Sequence, residues 1–569
     1  MEGMPDARDA SHVLLSPRRV AEEYVDQLVA LDPVEGTYLG DAASHSRLPD
    51  YSSDGRQQLT DLAGETLARL AEAEAVPGSL DDPAEQGCAR LLRERLSAQR
   101  AMHESGETLR DVSNVFSPVH RVRMAFTLAP TETEEDWRAV ASRLTAVPAC
   151  LAGYRSSLAE GLRRSLPGGP RQVTAMIRQL DEWIGVDGGW FARFAAAGPE
   201  PLRRDLDTAV ELANGALGDL RTWLSDTYAP SVAGTPDVVG RDRYLLASRY
   251  WNGNDLDFAE AYEYGWSEFH RLLDEMRVEA EAILPGAESP WAVTRHLDIN
   301  GQGVDGAEPT REWLQRLMEE AIGQLDGTHF DIPEPVKQVE SCLAPAGSAP
   351  APYYTAPARD FSRPGRTWLP HVGRDRFPAH EFVSTWYHEG VPGHHLQLAQ
   401  WVHAASRLSR YQTGVGMVSA NAEGWALYAE RLMDELGFLD DHEHRLGYLD
   451  AQMLRSIRVI VDLGMHLRLP IPDHSPFHAG ETWTPELAEQ FLLAHQGRHP
   501  DVIRSEIIRY QGAPGQAIGY KLGERVWLRG REAARRARGA DFDLRAWHMA
   551  ALNLGSLGLD DLEERLATL

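Results

Sequence analysis

Apolar residues recur at three- and four-residue steps through most of this 569-residue chain, a period that suits helices packed on helices. The pattern is clear in TETEEDWRAVASRLTAVPACLAGYRSSLAEGLRR (131–164), DFAEAYEYGWSEFHRLLDEMRVEAEAIL (257–284), NAEGWALYAERLMDEL (421–436) and DAQMLRSIRVIVDLGMHLRL (450–469). Local punctuation agrees. Ser16 and Pro17 open SPRRVAEEYVDQLVALDP as N-cap and first-turn proline, and Pro33 closes it. One stretch departs from the period. CLAPAGSAPAPYYTAPARDFSRPGRTWLP (342–370) mixes Pro, Ala and Gly with aromatics, which predicts irregular chain and short strands. The expected fold is mainly α, with a small β-sheet near the site. A helical N-terminal half (1–290) and a second half carrying the chemistry (291–569) are expected to form one compact unit.

The bulk composition excludes several classes. Lys and Arg number 57 against 85 Asp and Glu, a net charge of −28. Nucleic acids and anionic membranes are polyanions, so general binding to either is disfavoured. Cys88, Cys150 and Cys342 are widely spaced and form no CxxC pair. A disulfide framework or thiolate metal site is not expected, and a reducing cytoplasm fits. The N-terminal MEGMPDARDASHVLLSPRR lacks the apolar core of a signal peptide, and no apolar run is long enough to span a bilayer. Nothing specifies an oligomeric state.

Chemistry concentrates in YHEGVPGHHLQ (387–397). It begins like the His-Glu-x-x-His helix of zinc peptidases, but Pro392 stands where the second histidine should be. In a straight helix His394 would lie about 240° round from His388, and His395 about 10.5 Å along the axis. Neither pair could meet on one ion, since zinc–nitrogen bonds are about 2.0–2.1 Å. Pro392 removes a helical hydrogen bond and collides with the preceding turn, and Gly390 and Gly393 relax the backbone beside it. A bulge there would carry His394 into the second histidine's place, with His395 the alternative. Downstream, Glu423 and Glu430 share one helical face. Glu423 is the expected third ligand, because Gly424 permits close helix approach, and Glu430 is the next candidate. Two His and one Glu leave a position for water, and Glu389 would serve as general base. A histidine pair that binds no metal is the simpler reading of each residue alone, but not of the whole constellation.

Further along, IIRYQGAPGQAIGYKLGERVW gathers polar groups around Pro514-Gly515. Tyr510, with Tyr520 second, is a candidate donor to a developing oxyanion. Arg509, Gln516 and Lys521, and His395 if it is not a ligand, are candidate substrate contacts. Packing of the tyrosines in the core is the competing reading. Asp462 and His466 are one helical turn apart, either an ordinary helix pair or a carboxylate–imidazole support.

These motifs resemble the bacterial domain of unknown function 885 family, whose hallmark His-Glu-x-x-Pro-Gly-His-His is matched by His388 to His395. LDPVEGTYLGDAASHSRLPDYSSDG, SRPG (362–365), EGWALYAE, RVIVDLGMH and RYQGAPGQAIGYKLG are similar to its other blocks, so the likeness covers nearly the whole chain. That family is grouped with gluzincin zinc peptidases. The resemblance implies a two-lobed helical metallopeptidase-like architecture, His388, His394 and Glu423 as zinc ligands, and Glu389 as base. The expected function is a zinc hydrolase cleaving short peptides. The alternatives are a hydrolase of a specialised small amide or ester, and a metal-binding protein without turnover.

Overall fold

A computed structural model describes residues 15–185, 188–344, 351–498 and 500–569. Residues 1–14 and 345–350 of the stretches discussed above lie outside them.

The described chain is mainly helical. Local signals start the helices where the sequence placed them. The Ser16 side chain accepts from the Arg19 amide at the head of Pro17–Leu31, and Thr133 with Asp136 closes a capping box on Glu134–Arg163. Two cores organise the packing. The smaller joins Tyr51 to residues between Val112 and Val232, where helix Glu134–Arg163 lies against Arg203–Trp223. The larger combines residues between Val20 and Leu96 with others from Trp266 to Leu566. The boundary expected near residue 290 therefore coincides with no division of the core. The N-terminal helices Pro17–Leu31 and Pro83–Glu104 share their apolar faces with the C-terminal half. Each fully buried large side chain, such as Trp386, Trp425 or Trp527, contributes on the order of 1.5–3 kcal/mol of transfer free energy.

Four helices frame the site. Ala379–Glu389 packs on His442–Leu467, and Ser419–Glu435 crosses Gly519–Arg538. The second crossing is glycine on glycine. A Cβ on Gly424 would stand 2.4 Å from the carbonyl carbon of Gly523, so the backbones touch and no larger residue fits.

Among the described residues, five short strands form two small sheets. β1 (Gly303–Asp305) pairs antiparallel with β5 (Arg376–Pro378). β2 (Val339–Leu343) pairs parallel with β4 (Gly365–Leu369), and β3 (Tyr353–Thr355) pairs antiparallel with the other edge of β4, Tyr353 opposite Trp368. One small sheet was expected here; the chain makes two, both next to helix Ala307–Leu325. A cavity of about 2010 Å³ penetrates the molecule. It is lined by residues of both halves, among them Arg56, Asp111, Arg121 and Trp251, Tyr353 and Tyr354 of β3, and His388, Glu389, His394 and Glu423.

Candidate metal centre

Pro392 does more than bulge a helix. The helix ends at Glu389, a four-residue turn follows, and a second helix begins at His394 (His394–His403). The Val391–Pro392 peptide is cis. The Gly390 amide still donates to Trp386, that of Gly393 reaches back to Tyr387 at 2.9 Å, and that of His395 to Gly390. A Cβ on Gly393 would lie 1.9 Å from the His388 carbonyl oxygen, so only glycine allows the return. The turn is closed from outside by the Trp425 indole, which donates to the carbonyls of Pro392 and Gly393 at 2.9 and 3.1 Å. The Glu-Gly-Trp sequence thus does two things two residues apart: Glu423 enters the site, and Trp425 clamps the turn.

The result brings His388 and His394 together, their rings edge to face with centroids 4.7 Å apart. His388, His394 and Glu423 each offer a ligand atom, and all three atoms lie within 4.8 Å of one another. Glu423 Oε2 stands 3.4 Å from His388 Nε2 and 3.5 Å from His394 Nε2. Tetrahedral ligands at zinc bond lengths are separated by roughly 3.3–3.4 Å, so this spacing suits one shared ion. Glu423 Oε2 is buried and makes no hydrogen bond among the described residues. A buried, unpartnered carboxylate oxygen facing two imidazoles is a donor set whose chemistry fits a divalent metal.

Behind this cluster stands a further carboxylate. His388 Nδ1–H donates to Glu430 Oε1 at 2.7 Å, which turns the Nε2 lone pair toward Glu423, and Ser384 donates to the other Glu430 oxygen at 2.7 Å. Glu430 is thus an orienting partner rather than a rival ligand. Its place seven residues after Glu423 was the signal for it. The electrostatics express a demand for positive charge. Burial lowers the His388 pKa, but Glu423 and Glu430 outweigh it and carry it up to about 9. Burial raises that of Glu423, yet the two imidazoles hold it well below the usual carboxylate range. Glu389 lies outside the three-atom cluster, lines the cavity, and has its pKa raised by burial and by Glu423.

The structure separates the other candidates into two groups. Tyr520, Arg509 and Gln516 line the cavity. The Tyr520 hydroxyl is raised to about 12 by burial and then by the charge of Glu423, and the Arg458 guanidinium covers its ring at 4.8 Å. Arg509 donates to Gln516 Oε1 at 2.8 Å. By contrast Tyr510, His395 and Lys521 do not line the cavity. Tyr510 is fully buried, donates to Glu506 at 2.6 Å and accepts from Arg458 at 3.1 Å, so its proton is committed within the scaffold. His395 turns away from the cluster, donates through Nε2 to the Val336 carbonyl at 2.6 Å and accepts from Tyr354 at 3.0 Å. It pins its helix to the sheet region. Lys521 is buried among Gln452, Glu268 and Glu524, within 3.0 Å of each. The expectation of cavity contacts for these three is corrected by partners that lie elsewhere in the fold. Asp462 stands 3.7 Å from His466 as the expected i,i+4 helix pair, and its other oxygen accepts from Tyr244 at 2.6 Å and from the Gly515 amide at 2.9 Å, holding the 513–516 turn.

Fold and site together define a mainly helical protein built around a buried two-histidine, one-glutamate cluster at the base of a large cavity. A family model described as "Bacterial protein of unknown function (DUF885)" matches residues 33–566, and the chain belongs to that family. Two solved structures have the same fold. One is described as "the putative lipoprotein from Colwellia psychrerythraea", with 21% identity, a TM-score of 0.84 and coverage of 97% of this chain and 98% of that one. The other, described as "a putative lipoprotein of unknown function from Shewanella oneidensis", has 17% identity, a TM-score of 0.73 and coverage of 97% and 99%. No curated protein matches the sequence. Among the described residues, no helix is long and apolar enough to cross a membrane.

Proposed function

We propose that the protein is a zinc-dependent hydrolase, a metallopeptidase that cleaves short peptides with metal-activated water. The observation that carries this reading is the convergence of His388, His394 and Glu423 on one point, with Glu389 beside them at the cavity wall. Zinc held by these three residues would keep one position for water and supply a Lewis acid that lowers the pKa of that water toward about 7. Glu389 takes the proton of the attacking water and delivers it to the leaving amine. Tyr520 donates to the oxygen that gains charge as the carbonyl is attacked. β3 is an edge strand among the described residues, and its Tyr353 and Tyr354 line the same cavity, so its edge could pair with a peptide backbone. Two helical lobes about a deep cleft, the arrangement of other helical zinc peptidases, would admit short or unfolded chains; this is analogy of fold.

The three free cysteines favour a cytoplasmic site of action. The lipoprotein descriptions of the structural neighbours point elsewhere, and cell fractionation decides between them.

The test is turnover of a panel of short peptides, blocked peptides and small amides, with zinc and with a chelator. Chelator-sensitive cleavage of peptides supports the proposal. Cleavage of small amides alone makes the protein a specialised hydrolase. Zinc binding with no turnover on any substrate leaves a metal-binding protein and refutes the reaction.

A further inference from the structure

Three arginines share the cavity wall next to Tyr520. Arg455 and Arg458 stand one turn apart on His442–Leu467, and Arg509 comes from helix Pro500–Gly512. Few acids answer them. Arg458 and Arg509 both donate to the same oxygen, Glu506 Oε2, at 2.9 and 3.0 Å, and Tyr510 uses that oxygen as well. Arg455 approaches Glu430 only at 3.7 Å, and Glu430 is engaged by His388 and Ser384. Among the three guanidiniums, short ion pairs thus reach one carboxylate, Glu506, and Arg455 otherwise donates to the Ala451 carbonyl at 3.0 Å. Three cations are gathered on one stretch of cavity wall.

Elsewhere in the cavity Arg56 pairs with Asp111, Arg121 with Asp32 and Glu35, and Arg374 with Glu381, while Arg110 and Arg243 share Glu107. Only the Arg455, Arg458 and Arg509 group stands beside the candidate metal ligands. Guanidinium groups recognise carboxylates through paired, charge-assisted hydrogen bonds, and a planar carboxylate satisfies such donors where water alone does so poorly.

We propose that Arg455, Arg458 and Arg509 receive the free α-carboxylate of the substrate, so that the site acts on the C-terminal end of short peptides and not within longer chains. The inference rests on the hydrolase reading of the same site. A chain held by its terminus beside Tyr520 presents its last peptide bonds to Glu389, whereas an internal segment would cover the three cations with Glu506 as their one close anion. That is the costly arrangement for a partly desolvated charge.

Binding can be measured apart from turnover. Metal-free protein is titrated calorimetrically with acetyl-tri-alanine and with its C-terminal amide, which differ only in the terminal charge. Charge-assisted bonds to one carboxylate should make the free acid bind about tenfold tighter or better, and Arg509→Met should bring the ratio toward one. Equal affinities for the wild-type protein, or no detectable binding of the free acid, overturn the proposal. A third ligand, the amide with glutamate in place of its last alanine, separates sources of charge. If it binds as tightly as the free acid, a side-chain carboxylate is the target and the terminal assignment is wrong. Since the titration uses no metal, absence of turnover with zinc would refute the hydrolase reading while leaving the carboxylate preference to be read independently.

Discussion

Two Pro-Gly turns interrupt helices beside the same cavity, and they are built to opposite ends. In the turn at 390–393 the chain reverses so that imidazoles at the two flanking helix termini face one carboxylate, and the polar atoms at that point are left without partners. In the turn at 513–516 the backbone groups are spent on the scaffold, and Asp462 Oδ1, which makes no hydrogen bond among the described residues, belongs to a residue off the cavity wall. Gly515 is left-handed (φ 77°), its amide donates to Asp462, its carbonyl accepts from Asn252, and Tyr510 and Lys521 on either side are saturated. Proximity to the cavity does not distinguish the two. What does is whether a polar atom has found its partner within the fold, since an unpaired buried atom is costly unless a ligand completes it.

The largest expected contrast lies in turnover. Glu389→Gln should lower kcat about 10²- to 10⁴-fold while bound zinc is retained, because the amide keeps the shape but cannot accept a proton. Loss of zinc in this variant would make Glu389 a ligand and erase the distinction drawn here.

The scaffold turn should show itself in stability. Burial raises the Asp462 pKa to about 7, against the relief given by Tyr244, the Gly515 amide and Arg509; the adjacent His466 stays neutral, its own pKa lowered to about 4 by burial. The unfolded chain releases the same proton near pH 4, so between about pH 4 and 7 only the folded state holds it. The Asp462 contribution to stability should therefore fall as pH rises through that window, by an amount on the order of 4 kcal/mol, while the neutral His466 contributes an opposite rise between about pH 4 and 6.5. Asp462→Asn should remove the falling contribution and leave stability rising more steeply with pH in denaturant melts at several pH values. An unchanged slope would mean that Asp462 is ionised in the fold.

The two tyrosines offer the next comparison. Tyr520→Phe should reduce kcat by about 10²-fold, the usual cost of an oxyanion donor. Tyr510→Phe should instead act on stability, by roughly 1–3 kcal/mol through the lost bond to Glu506, with kcat changed far less. The reverse pattern would return the oxyanion role to Tyr510. A smaller effect is expected at the supporting carboxylate: Glu430→Gln should weaken zinc binding about 10- to 100-fold without removing a ligand.

Much of this was legible in the sequence because it depends on neighbours along the chain. Helical period, Ser16 and Pro33 as boundaries, and Pro392 as an interruption are local facts. So is the one-face placement of Glu423 and Glu430. The depth of the interruption was not legible, because a full turn replaces a bulge only when the Trp425 indole, 32 and 33 residues away, caps its carbonyls. His395 and Tyr510 misled for the same reason: Val336, Tyr354 and Arg458 reach them from distant segments. Lys521 carried a local warning in Glu524, three residues on, which is the spacing of a helical ion pair. Arg455 and Arg458 share one turn of helix, and that spacing was the visible sign of a cationic wall.

The central claim is that the turn selects His394 over His395 to complete a metal site with His388 and Glu423. Zinc content after loading and desalting tests it in three proteins. Wild type and His395→Ala should each retain about one zinc per chain, and His394→Ala should retain almost none. Zinc retained by His394→Ala but lost from His395→Ala, or no zinc in the wild-type protein, would contradict the site as described.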